Sequence, residues 1–98
     1  MPHSYRVLVD SLVKYTHKFH EAERGKDHAA AQFLEIKILA AADMLRLSDP
    51  PREASRDNLR VFIHRLEGTQ RLLGDERYEK KIQPIVEKLQ KHFVHATR

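Results

Sequence analysis

Ninety-eight residues, 41% apolar and 33% charged, have the size and composition of one globular domain, too small for two cores and too apolar for a disordered chain. The absence of cysteine excludes disulfide staples, thiolate zinc sites and cysteine nucleophiles. The net charge of +4 lies in the second half, because residues 1–49 carry seven basic and seven acidic side chains and residues 50–98 carry eleven and seven.

Ser4 opens the first helix, expected over about residues 4–24. Its apolar positions Tyr5, Leu8, Leu12, Tyr15, Phe19 and Ala22 step by three and four, and Gly25 stops it. Within it, Val7-Leu8-Val9 runs straight into Asp10, so this segment lacks the apolar centre of a secretory signal.

Asp27 caps the second helix, about residues 28–47, which carries the most informative pattern in the chain. Phe33, Ile36, Met44 and Leu47 form one apolar stripe, while Leu34, Ile38 and Leu45 form another roughly 120° around the helix. Lys37 projects from the gap between them. A helix with two apolar faces needs two sets of neighbours, either within a bundle or shared with a partner chain. The run Ile38 to Ala42 falls far short of the roughly 18 residues a membrane span needs, and with the cysteine-free composition it suggests a cytoplasmic protein.

Ser48-Asp49-Pro50-Pro51 ends the second helix and opens the third, about residues 51–73, with a start near Ser55 as the alternative. Leu59, Phe62, Ile63, Leu66 and Leu73 make its core face, Val61 and Leu72 form an apolar edge roughly opposite, and Gly74 ends it. Asp75 caps the fourth helix, about residues 76–96, whose core stripe is Tyr78, Ile82, Ile85, Val86, Leu89 and Phe93. Short connections between four such helices predict an all-α, antiparallel up-down-up-down four-helix bundle, with residues 1–98 as a single domain. Gly68 and Pro84 fall at similar heights in the last two helices, marking an innocuous kink or a hinge.

No catalytic motif appears. The chain has only three glycines, so there is no glycine-rich phosphate loop, and Ser4, Ser11, Ser48 and Ser55 fall at caps, loops or helix surfaces. The expectation is a protein that is not an enzyme and needs no cofactor. Seven histidines invite a metal test: His17 and His20 share a face and His28 follows the turn, whereas His92 and His95 sit at the opposite end near His3. Without an H-e-x-x-H or Glu-x-x-His motif, no metal site is expected.

Two surfaces remain as candidates. Arg52, Arg56, Arg60, His64 and Arg71 run along one edge of the third helix and would suit nucleic acid or another polyanion, although Glu53, Asp57 and Glu67 dilute their field. Phe33, Leu34, Lys37, Ile38 and Leu45, with Val61 and Leu72, would suit a protein partner. Lys37 then emerges at the seam between a core stripe and a covered one, unless its stem simply lies along apolar surface or its ammonium is desolvated in the bundle. The favoured reading is a non-catalytic interaction module, an adaptor, chaperone-like or regulatory subunit, acting through apolar helix faces and self-associating as a homodimer. A small basic regulator that binds a polyanion is the alternative.

Overall fold

A computed structural model describes residues 4–51 and 54–95, and four helices account for nearly all of these described residues. They are α1 (Tyr5–Arg24), α2 (His28–Leu47), α3 (Arg56–Leu73) and α4 (Glu76–His95). Each begins where a short polar side chain accepts a free backbone N–H. The Val7 N–H donates to Ser4 Oγ, the Ala30 N–H to Asp27 Oδ1 and the Asn58 N–H to Ser55 Oγ, all at 3.1 Å, and the Arg77 N–H donates to Asp75 Oδ1 at 2.8 Å.

Helix α3 therefore starts five residues later than the first of the two expectations, at the alternative near Ser55. Pro51 disfavours helical geometry at Pro50, and the serine cap sets the boundary instead. The turn after α1 also differs in detail. Gly25 has an ordinary φ of −83°, and it is Lys26 that adopts the left-handed conformation at φ 58°. Gly74 behaves as expected, closing α3 in the left-handed region at φ 57°.

Side-chain contacts fix the direction of each helix. Across α3/α4 the guanidinium of Arg56 lies over Phe93 and Gln70 donates to Gln83 at 2.9 Å, so this pair is antiparallel. Only residues 25–27 join α1 to α2, and together with the directions of the other pairs this sets those two helices antiparallel as well. Tyr5 meets Phe62 at 5.5 Å between ring centroids and Asp10 pairs with Arg65, so α1 and α3 run parallel. Glu35 pairs with Arg77 at 2.9 Å and Asp43 with Lys81 at 3.0 Å, so α2 and α4 do too. Going around the bundle the order is α1, α2, α4, α3, and α2 lies diagonally across from α3.

The three connections explain this order. The links after α1 and after α3 are too short to do anything but join neighbours, whereas residues 48–55 are long enough to cross the end of the bundle. Pro50, within that crossing, is buried. Lys88 of α4 secures it, donating to the carbonyls of Arg46 and Ser48 at 3.3 Å each, where a cation also complements the C-terminal end of α2.

All four helices contribute to one core. Val9, Leu12, Ile38, Ala42, Leu45, Leu59, Leu66, Ile82, Ile85, Val86 and Leu89 are buried essentially completely. Thr16 and Thr69, also buried, satisfy their hydroxyls within their own helices by donating to the carbonyls of Leu12 and Arg65. Gly68 and Pro84 do not meet: Gly68 lines the α1/α3 groove, whereas Pro84 is exposed on a helix that continues unbroken past it.

A matched pair of substitutions measures the core. Ile82→Ala removes a fully buried side chain and should cost about 2–5 kcal/mol. Ile36→Ala, the same change at a position left in water, should stay within about 0.5 kcal/mol of wild type. Urea denaturation of both variants checks the contrast.

The buried hydroxyls of Tyr5 and Tyr78 have no hydrogen-bond partner, and burial pushes both phenols up to about 12. Between pH 10 and about 12 the unfolded chain ionises these groups while the folded protein keeps them neutral, so stability falls as pH rises. The slope is up to about 1.4 kcal/mol per pH unit for each tyrosine. Tyr5→Phe and Tyr78→Phe should each flatten this alkaline loss and should be neutral or slightly stabilising at pH 8, as read from urea midpoints across that range.

Candidate functional site

Of the two apolar stripes on α2, one is consumed by the core. Ile38 is 0% exposed and Leu45 1%, with Ala41 and Ala42 buried beside them and Leu34 partly so. Small alanines let the neighbouring helices approach closely there. Ile38 and Leu45 are therefore core residues and cannot touch a partner, contrary to the expectation that placed them on the binding surface.

The other stripe faces water. Phe33 is 59% exposed, Ile36 66%, Met44 44% and Leu47 76%, and these residues recur at three- and four-residue steps along the side of α2 opposite the core. Ala40 completes the row and is also exposed. Phe33 belongs to the expected partner contacts, whereas Ile36, Met44 and Leu47, which share its stripe, do not. Their signal was present in the helical periodicity. Glu35 and Asp43 lie on the flank that reaches α4, where Arg77 and Lys81 pair with them, while Phe33 and its companions face outward.

Lys37 stands at the border, exposed, with its ammonium 5.2 Å from the centroid of the Phe33 ring. This is a cation–π contact laid over an apolar surface, not a desolvated lysine inside the bundle. On its α1 side the stripe continues into a groove of about 300 Å³ formed by Val7, Ser11, Tyr15, Lys37, Ala40 and Met44 together with buried Leu8 and Ala41. Val7 is itself 47% exposed, so the apolar surface extends from α2 onto the first turns of α1.

Val61 and Leu72 do not join this surface. They belong to α3, diagonally across the bundle, where Val61 is exposed and Leu72 lines a separate groove with Val13, Thr16, His17, Arg65, Gly68 and Thr69. The Asp10–Arg65 ion pair bridges the two helices that form it.

The arginine edge is also broken up. Arg56 and Arg60 stack on one side chain, their guanidinium carbons 4.3 and 5.6 Å from the Phe93 ring centroid. Arg71 lies in a depression with Glu67, Gln70 and Glu79, and His64 is exposed. Arg52 lies outside the described residues. Among the described residues no three or more histidine, aspartate or glutamate side chains converge to hold a metal, so His17, His20 and His28 do not form a ligand cluster. The displaced carboxylates are structural: Lys81 holds Asp43, and the backbone and side chain of Arg77 hold Asp75, below the usual carboxylate range. Among the described residues no helix is long and apolar enough to cross a membrane.

Comparison of the chain with known protein families, with curated proteins and with solved structures gives no match. The functional reading therefore rests on the surface chemistry of the bundle itself.

Gly68 tests whether the α1/α3 groove is structurally required. A Cβ at this position would meet only the Arg71 side chain, at 4.0 Å. Gly68→Ala should therefore raise stability by about 0.5–1 kcal/mol through helix propensity alone, a gain that thermal or urea unfolding would detect.

Proposed function

We propose that this protein is a non-catalytic protein-binding module, an adaptor or regulatory subunit, whose binding element is the outer face of α2. The observation that carries the reading is the alignment of Phe33, Ile36, Met44 and Leu47 on one exposed stripe. Scattered exposed apolar residues are ordinary, and a row of large ones with a polar border supports reading this face as an interaction surface. The geometry is that of helix-face recognition, in which anchors at three- and four-residue spacing meet an apolar surface of the partner. Lys37 and Asp43 border the row on its two sides and would lie at the wet rim of such an interface. A cytoplasmic location belongs to the same reading, supported by the cysteine-free composition.

Ile36→Glu places a charge in the middle of the stripe without touching the core. The variant should keep its helix content and thermal midpoint while losing at least tenfold in the amount of specific partner captured from native lysate. Lys91→Glu, an exposed change on α4, serves as the control and should retain the partner. Equal capture by wild type and Ile36→Glu would overturn the reading.

A further inference from the structure

The outer stripe of α2 has a symmetry that narrows the choice of partner. Its members are Phe33, Ile36, Ala40, Met44 and Leu47, so the steps are three, four, four and three, palindromic about Ala40. A two-fold interface presents the same patch from both sides and needs a patch complementary to itself. This row meets that requirement. When a second α2 is laid antiparallel across it with the axis at Ala40, Phe33 meets Leu47 of the other copy, Ile36 meets Met44, and Ala40 meets Ala40. A large apolar side chain opposes a large one at every level about 6 and 10 Å from the axis, and the smallest residue falls where two helices must approach most closely.

From this we infer that the partner on the α2 face is a second copy of the same chain, packed through α2 against α2 in antiparallel register with the two-fold axis at Ala40. The inference rests on the reading of α2 as the binding face and names its occupant. Antiparallel pairing is favoured over parallel because it opposes the two helix dipoles and matches side-chain volume on both sides of the axis, whereas parallel pairing sets Phe33 against itself at one end. The charges fit as well. Lys37 and Asp43 lie three residues to either side of Ala40 on opposite borders of the stripe, so neither is buried in the seam. Asp43 is already held by Lys81 and Arg46 of its own chain.

The available area sets the strength of the pairing. The four large side chains leave on the order of 100 Å² each in water, and two copies together with Val7, Ala40 and the Lys37 stem reach about 1,000 Å² of total buried surface. That is the lower limit for a specific interface, so the dimer should be micromolar or weaker and should exchange with monomer. Because apolar contact dominates, added salt should not dissociate it, in contrast to any complex held by the arginines of α3.

The cysteine-free chain allows a direct test of both partner and register. Ala40→Cys and Phe33→Cys are each introduced into the full chain, and each is treated with a short bis-maleimide at concentrations spanning the association seen by sedimentation equilibrium. The expected result is efficient covalent dimer for Ala40→Cys and little for Phe33→Cys, whose equivalent positions lie about 20 Å apart along the paired helices. A mixture of Phe33→Cys and Leu47→Cys should form the mixed dimer, and Ile36→Glu introduced with Ala40→Cys should abolish crosslinking. Efficient crosslinking of Phe33→Cys with itself would overturn the antiparallel register. A protein that stays monomeric up to millimolar concentration, with no crosslink at either site, would overturn the second copy as occupant. If capture of a different protein still depends on Ile36 in that case, the binding-face reading survives; if both fail, the reading falls with the inference.

Discussion

Glu35 and Asp43 tie one flank of α2 to α4 through Arg77 and Lys81, and the orientation of the most apolar helix in the protein depends on those contacts. Burying Ile38 and Leu45 is worth roughly 1.5–3 kcal/mol for each side chain, but burying Phe33 and Leu47 instead would be worth much the same. Hydrophobicity alone therefore leaves the rotation of α2 nearly undetermined. The ion pairs are partly exposed and contribute little absolute stability, about 0–1 kcal/mol each. Their weight is in the difference, because turning the outer stripe inward would separate both carboxylates from α4 and carry Lys37 toward the core. Ala41 and Ala42 act in the same direction by shaping the inner side for close packing.

The path of the chain determines which surfaces remain open. The two hairpins, α1 with α2 and α3 with α4, stack so that α2 and α3 are diagonal, and the connection through Pro50 crosses over the end of the core. Had α2 and α3 been neighbours, the stripe of Phe33 and the edge of Val61 and Leu72 could have shared one face. Instead they lie on opposite sides. One is a long apolar row with a small residue at its centre, and the other is a short edge interrupted by Arg65 and its partner Asp10.

Local chemistry made most of the fold legible. Ser4, Asp27 and Asp75 were readable as caps and Gly74 as a stop because capping needs only a side-chain oxygen near a free N–H or a residue tolerant of left-handed geometry. Non-local choices were not readable. The start of α3 depended on whether Pro50-Pro51 or Ser55 prevailed, and the left-handed turn residue was Lys26 although Gly25 stood beside it. The assignment of Ile38 and Leu45 to a partner surface failed for the same reason, since two equivalent stripes become distinct when neighbouring helices pack on Ala41 and Ala42 and α4 supplies cations to one flank. Phe93 likewise had the periodicity of a core residue, yet it is only partly buried and carries Arg56 and Arg60 across its ring.

An exposed apolar row carries an aggregation risk that its geometry can contain. A heterologous contact, in which the row binds some different patch of the next molecule, leaves a free row at one end and can propagate without limit. An isologous contact uses the row on both sides at once and closes at two copies. The palindromic spacing about Ala40 favours closure, and the small, interrupted edge of Val61 and Leu72 on the opposite side offers a poor second contact through which an assembly could grow. The net charge of +4 adds a weak long-range repulsion between copies that opposes indiscriminate association, while the seam of the proposed dimer carries no charge. Symmetry of the row, distance from the second apolar edge and residual positive charge thus act together to make limited pairing the economical way to cover this face.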